Sequence, residues 1–195
     1  MKNLLPCLLL FIFQLIFKFS FGQLKIAVYK DRNVNGSFIN IEVKKNRILD
    51  SIFRKSYYFP EVYRLDDSVK ILIIEKILKF TSDTSICSNP VIIYENPSYP
   101  GCYDLLPSSK TYPLKIEALF IITRIAYNNF SFRIGCYPVL FDTLTQKEVN
   151  NNIELINIMV EHYKEWFQEY KFSGKLPDYK FLNSGRIRWW GRHFN

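Results

Sequence analysis

The first 22 residues decide the compartment in which the rest of this chain folds. Lys2 precedes an unbroken apolar run over residues 4–13, and the small residues Ser20 and Gly22 lie just before the polar sequence. This order is typical of a secretory signal peptide, with cleavage expected between Gly22 and Gln23. A retained membrane helix is the alternative, although an apolar run over residues 4–17 is short for a hydrocarbon core of about 30 Å. We therefore expect an exported protein, periplasmic or secreted, with no transmembrane helix after processing.

Removal of the leader leaves 195 − 22 = 173 residues. A chain of this length buries roughly 70% of its unfolded surface as one domain, so we expect residues 23–195 to form a single domain. The hydrophobic fraction of 48% excludes a disordered chain. The formal charge of +8 includes Lys2 and Lys18, so the mature chain carries 8 − 2 = +6. For an exported chain with scattered charges, an unknown protein or envelope component is a better partner than nucleic acid.

The mature chain begins with a strand pattern. Residues 24–29 and the alternating residues 37–43 flank a turn-prone segment that ends in Asn35-Gly36, which predicts a β-hairpin. After Lys44 the apolar spacing changes, and Ile48, Leu49, Ile52 and Phe53 predict a short amphipathic helix.

Three stronger helices follow. Asp66-Asp67-Ser68 offers side-chain caps for a helix over residues 69–80, and Pro113 opens a helix whose body, residues 116–127, is apolar nearly all round. The last helix begins near a capping box at Thr145 or at Asn150-Asn151-Asn152 and ends at Gly174. We expect a mainly α (α+β) fold, an irregular bundle of three to four helices with an N-terminal β-hairpin and long loops. The predicted core centres on six positions of these helices: Ile73, Ile77, Leu119, Ile122, Ile156 and Val160.

Export permits disulfides, and the mature chain has three cysteines, Cys87, Cys102 and Cys136. A Cys87–Cys102 bridge is the preferred pairing, because it would close an irregular, proline-rich loop. A Cys102–Cys136 bridge and three free thiols are the alternatives.

Few residues offer catalytic chemistry. A Cys136–His162 pair could act as thiol nucleophile and base, and Glu117, on the most apolar helix, could act as a general acid. The simpler interpretations are a helix-edge histidine beside Glu165 and a carboxylate at the solvent edge of its helix. The sequence has no G-x-S-x-G, no glycine-rich phosphate loop, no H-E-x-x-H and no C-x-x-C, so we predict no cofactor and no metal.

The C-terminal segment combines cations with aromatic side chains. Arg188, Trp189 and Trp190 have the composition of a binding hot spot, although such a terminal pair more often packs on its own domain. The leading hypothesis is an exported, non-catalytic binding or interaction protein, such as a periplasmic inhibitor, an immunity-type protein or an envelope-associated module. The alternative is a small envelope-acting hydrolase that uses Glu117 or the Cys136–His162 pair.

Overall fold

The computed structural model describes residues 25–45, 48–51, 65–91, 106–127, 134–178, 182 and 185–190. The predicted signal peptide and Cys102 lie outside these residues. Within them the fold is mixed α+β, with three α-helices and two small antiparallel sheets. The N-terminal β-hairpin is confirmed, whereas the description as a mainly helical bundle is not.

The first sheet has three antiparallel strands, which are hydrogen-bonded in chain order. Strands β1 (Lys25–Asn33) and β2 (Gly36–Lys45) form the hairpin, with Asn33 paired to Gly36 across a two-residue turn. Gly36 has a φ of 141°, a backbone conformation that favours glycine. Alternate β2 residues, Ile39, Ile41 and Val43, face the core.

Strand β3 (Ile48–Ser51) corrects the helix expected after Lys44. It pairs antiparallel with β2, from Lys45 opposite Ile48 to Glu42 opposite Ser51. Two adjacent apolar residues followed by two more satisfy a helical spacing, but a run this short does not distinguish a helix from a strand. Pairing with β2 decides in favour of the strand, and the rest of that predicted helix lies outside the described residues.

Helix α1 (Asp67–Ile77) confirms the helix predicted over residues 69–80, except that its last three residues, Leu78–Phe80, form a 3₁₀ turn. The predicted side-chain cap is absent, because within the described residues the Asp66 side chain makes no capping hydrogen bond. Asp67 instead accepts a hydrogen bond from Tyr170 Oη at 2.9 Å, which ties α1 to the last helix.

Helix α2 (Leu114–Tyr127) lies at the centre of the fold. Thirteen of its fourteen residues are buried, including the charged Lys115 and Glu117. Helix α3 (Ile153–Ser173) packs its aromatic face on this core. Its cap is Asn152, whose side chain accepts from Leu155 N at 3.1 Å, so the Asn150–Asn152 start is correct and the Thr145 capping box is not.

The second sheet has three antiparallel strands, the first of which in the chain is the middle one, and it connects the C-terminal segment to the domain. It consists of β4 (Leu140–Asp142), β5 (Lys147–Glu148) and β6 (Ile187–Trp189). All six predicted core residues are at most 4% exposed, which confirms the assignment of the helix faces. None of the helices in the described ranges is long and apolar enough to cross a bilayer.

Candidate binding site

Trp189, expected at a binding surface, lies in the core. It is 2% exposed, its Nε1 donates to Tyr163 Oη at 2.6 Å, and its ring meets Phe120 edge-on at 5.3 Å. Gly135 is required here, because a Cβ at this position would come within 2.4 Å of Trp189 Cβ. The tryptophan therefore packs on its own domain, which was the simpler interpretation of the tail.

The two neighbouring residues also serve the domain. Trp190 is partly buried, and its ring meets Phe141 edge-on at 5.4 Å. Arg188 is partly buried as well, and its Nε donates to the Gly185 carbonyl at 2.9 Å. Arg188 lies in strand β6 and Trp190 directly follows it, so the second sheet positions both side chains, while a binding role for either residue stays a prediction.

Glu117 is fully buried and not at a solvent edge, which corrects the simpler interpretation of this residue. Its carboxylate accepts hydrogen bonds from Asn89 Nδ2 at 2.7 Å and from Tyr112 Oη at 2.9 Å. Buried carboxylates need such donors to offset the loss of water. These contacts give Glu117 a structural role that connects α2 to the segment before it.

Cys87 is a free, buried thiol, so the predicted Cys87–Cys102 bridge is not present. Backbone contacts hold Cys87 in this position. Cys87 N donates to Tyr112 O at 2.9 Å, and residue 87 forms an isolated parallel β-bridge with Ser37 at the start of β2. Burial raises the pKa of the Cys87 thiol, and the nearby Glu117 carboxylate raises it further. The thiol therefore stays protonated and unreactive at neutral pH.

Cys136 and His162, the proposed nucleophile and base, meet opposite ends of the C-terminal segment. Cys136 N donates to Trp190 O at 2.9 Å, whereas a Cβ at Gly185 would lie 3.4 Å from His162 Cε1. Cys136 is also disulfide-bonded, which removes the thiolate that a nucleophile requires.

A cavity of about 510 Å³ opens beside the C-terminal half of α3. One wall is a strip of four residues at positions i, i+3, i+4 and i+7 of the helix, a spacing that places them on one face. The opposite wall belongs to the segments that follow the helix. The lining residues are His162, Glu165, Trp166, Glu169, Pro177, Asp178 and Gly185.

The floor of the cavity rests on packed aromatic rings. Trp166 is 3% exposed, and its ring centroid lies 6.0 Å from that of Tyr127 and 5.6 Å from that of Tyr170. Side chains this tightly packed hold the helix face in one position. The packing of Trp166 therefore fixes the position of the four α3 residues that line the cavity.

Two contacts fix the opposite wall. Gly174 ends α3 in the left-handed conformation, with a φ of 66°, and turns the chain back. Tyr127 Oη then donates to the Pro177 carbonyl at 3.0 Å. Burial raises the pKa of Tyr127, so the phenol remains a donor at neutral pH.

The carboxylates give the cavity its chemistry. Glu165 and Glu169 are exposed, one turn apart, and Asp178 is exposed on the opposite wall. Among the described residues, no three His, Cys, Asp or Glu side chains form a group that could hold a metal ion. The arrangement offers several hydrogen-bond acceptors around an apolar floor.

Of the lining residues, the sequence indicated only His162 as a candidate, with Glu165 as its neighbour. Trp166 and Glu169 complete the same helical strip, and this spacing is the signal that could have identified the cavity face. Pro177, Asp178 and Gly185 approach it only through the turn at Gly174 and the attachment of β6, which no local pattern predicts.

Comparison with protein-family models finds no matching family. Comparisons with curated proteins and with solved structures find no match either.

Proposed function

We propose that this protein is an exported, non-catalytic binding protein that engages its partner through the cavity beside α3. The observation that carries the proposal is the cavity itself, with a volume of about 510 Å³ and a lining that combines an apolar floor with several polar groups. Pockets that bind small molecules in proteins have volumes in this range.

The placement of the other candidates supports the same function. The carboxylate of Glu117 is committed to two hydrogen bonds inside the fold, and the thiol of Cys87 is buried with a raised pKa. Trp189 is packed in the core. By contrast, the carboxylates that line the cavity are exposed.

The proposal that the protein is exported depends only on the sequence of residues 1–22. The basic start, the short apolar run and the small residues before Gln23 favour cleavage and release from the membrane. N-terminal sequencing of the mature protein tests this part, and a mature chain that begins at Gln23 is the expected result. A chain that retains residues 4–17 and extracts with membranes would contradict it.

Site-specific photocrosslinking tests the binding function. A photoreactive benzoylphenylalanine at position 169 lines the cavity, and the same residue at position 154 lies on an exposed part of the same helix. After irradiation with envelope extract, we expect an adduct from position 169 that position 154 does not give. No adduct at position 169, or the same adducts from both positions, would contradict a binding role for the cavity.

A further inference from the structure

The outer edge of strand β1 is unpaired in the part of the chain that the structure describes. Strand β2 has neighbours on both sides. It pairs with β1 on one side and with β3 on the other, where Ser37 N also donates to Ile86 O at 3.0 Å and Ser88 N donates to Ser37 O at 2.8 Å. Strand β1 pairs only with β2 among the described residues. An edge strand of this kind presents a row of backbone N–H and C=O groups to which another strand can bind.

The register of the hairpin identifies the backbone groups at this edge. In an antiparallel pair, alternate residues exchange hydrogen bonds with the partner strand, and the residues between them direct their N–H and C=O groups away from it. Ser37 directs its backbone groups away from β1, so Arg32, which lies opposite Ser37, directs its own away from β2. The same alternation makes three further residues outward-facing along the backbone: Ile26, Val28 and Lys30.

These three residues keep their outward backbone groups available. Arg32 N donates to the Asp31 carboxylate at 2.8 Å, which occupies the donor nearest the turn. For Ile26, Val28 and Lys30, no backbone hydrogen bond on the outer side exists within the described residues. The edge therefore offers three N–H and three C=O groups at regular spacing.

Strand β1 lacks most features with which natural edge strands avoid pairing. Such strands are often short, or they carry a proline or a bulge. Strand β1 has nine residues and no proline, and every residue from Lys25 to Asn33 has one partner on β2, so the strand has no bulge. Lys30 Nζ donates to Asp83 Oδ2 at 2.6 Å and to Ser85 Oγ at 2.9 Å, which neutralises this charge away from the edge.

The outward backbone groups of β1 are complementary to those of a second copy. When two copies of the strand run antiparallel about a two-fold axis at Val28, Val28 lies opposite Val28. Ile26 then lies opposite Lys30 of the second copy, and Lys30 opposite Ile26. All three outward residues of each copy are thereby matched with outward residues of the other, which is the condition for a hydrogen-bonded ladder.

The side chains favour the same register. Lys25 and Asp31 are exposed on the same face of β1, and in this register each lies opposite the other residue of the second copy. Opposite charges directly across a strand pair are stabilising, and the two-fold axis gives two such pairs. A register with its axis at Ala27 or at Tyr29 pairs no opposite charges.

We propose that two copies of this protein form a dimer by antiparallel pairing of their β1 strands about Val28. Pairing joins the two three-stranded sheets into one continuous sheet. Both copies contribute the same surface, as a two-fold interface requires. None of the residues that line the cavity beside α3 lies on β1, so this inference does not rest on the proposed binding function.

Hydrogen exchange followed by NMR tests the pairing residue by residue, with the mature protein dilute and at about 1 mM. We expect the amides of Ile26, Val28 and Lys30 to become protected at the high concentration. The amides of residues 27, 29 and 31 bond to β2 and should be protected in both samples, which makes them an internal control. Sedimentation velocity on the same samples measures the dissociation constant of the dimer.

Three results of this experiment would overturn the proposal. The first is a protein that stays monomeric up to about 1 mM. The second is a dimer in which the three outward amides remain unprotected, since it would form through another surface. The third is protection of these amides in the monomer, because another segment of the same chain would then cover the edge.

A charge-swap series tests the register. Lys25→Glu sets two carboxylates opposite each other in both pairs, and Asp31→Lys sets two ammonium groups there. Each single variant should therefore weaken dimerisation about fivefold or more. The double variant, Lys25→Glu with Asp31→Lys, restores opposite charges and should return the dissociation constant to within about twofold of wild type.

A matched variant separates the register from overall charge. Lys175→Glu makes the same change in net charge as Lys25→Glu at an exposed position after α3, and it should leave dimerisation within about twofold of wild type. Circular dichroism confirms that each variant is folded. Equal weakening by Lys25→Glu and Lys175→Glu, or a double variant that dimerises no more tightly than the single ones, would overturn the proposal.

Discussion

Two carboxylate sites of this protein, one inside the core and one at the cavity, show how similar residues come to serve different purposes. Glu117 on α2 is fully buried and accepts two hydrogen bonds from side chains of its own domain. Glu165 and Glu169 on α3 are exposed beside a cavity. Removal of the first should cost stability, and removal of the second pair should affect binding instead.

The contrast follows from the position of each residue on its helix. Helix α2 is surrounded, so any polar residue on it must find partners within the protein. Helix α3 has a solvent face, where carboxylates need no partner to be stable. Glu117 is therefore easy to notice in the sequence, because it interrupts an apolar helix, yet it is buried in the structure. Glu165 and Glu169 are ordinary residues of an amphipathic helix in the sequence, yet they are exposed to solvent in the structure.

The largest effect on stability is expected at the C-terminal strand. Trp189→Ala removes a buried ring and its hydrogen bond to Tyr163, and truncation of a core tryptophan costs about 3 to 5 kcal/mol. Urea denaturation measures the loss. Trp190→Ala is the control, because Trp190 is only partly buried and should cost less. Equal, small losses would show that the strand contributes little to the core.

The next effect concerns the disulfide of Cys136. Cys87 is free in the structure, and Cys7 belongs to the predicted leader, so we expect Cys102 to be the partner in the mature protein. A bridge of this kind typically contributes about 2 to 4 kcal/mol. Non-reducing peptide mapping should recover Cys102 linked to Cys136, with Cys87 alkylated after unfolding. A peptide that links Cys87 to Cys102 would contradict this prediction.

Substitution of the buried Glu117 should lower the free energy of unfolding by a somewhat smaller amount. Glu117→Ala leaves the donors of Asn89 and Tyr112 without this acceptor, and a buried unsatisfied group costs about 1 to 3 kcal/mol before any cavity is counted. Glu165→Ala is the matched control on the exposed helix face and should stay within about 0.5 kcal/mol of wild type. Equal free energies of unfolding for the two variants would remove the distinction between the sites.

A third carboxylate shows how hydrogen bonds to a buried group affect the pH dependence of stability. Asp142 is fully buried, and Arg186 donates to it from Nε at 2.9 Å and from Nη2 at 2.8 Å. Hydrogen bonds from Arg186 first, and then those from Leu144 N and Thr145 Oγ1, hold the pKa of Asp142 well below its usual range.

A pKa that is lower in the folded state adds stability above the unfolded value of about 3.9, and this stability is lost as the pH falls further. Asp142→Asn should therefore lower the free energy of unfolding at pH 7 and reduce its decline between about pH 5 and pH 2. Urea denaturation at several pH values measures both. Curves for wild type and variant that stay parallel over this range would contradict the prediction.

The sequence predicts the parts of this fold that depend on local periodicity. The apolar positions of α1, α2 and α3 identify the core correctly, and Asn35-Gly36 marks the hairpin turn. The helix predicted after Lys44 is wrong over residues 48–51, because the spacing of this short run fits a helix and a strand equally. Pairing with β2 determines its structure, and pairing partners are not visible in a local pattern.

The candidate site was harder to predict, because its walls come from distant segments. His162 was chosen for its titratable ring, yet the cavity also needs Pro177 and Gly185. Their approach depends on the turn at Gly174 and on the pairing of β6 with β4. The prediction that Trp189 lies at a binding surface is wrong for the same reason. The residue type is common in binding sites, but pairing of β6 with β4 places this side chain in the core.

The smallest expected change in the free energy of unfolding concerns the two glutamates at the cavity. Glu165→Gln with Glu169→Gln removes a like-charged pair at positions i and i+4, whose repulsion costs a helix about 0.2 to 0.5 kcal/mol. The free energy of unfolding should rise by about this amount at low salt, and the difference should shrink in high salt because exposed charges are screened. Thermal and urea denaturation at two salt concentrations measure it. A clear loss of stability would show that these carboxylates support the fold, as Glu117 does. It would contradict the view that their role is to bind a ligand.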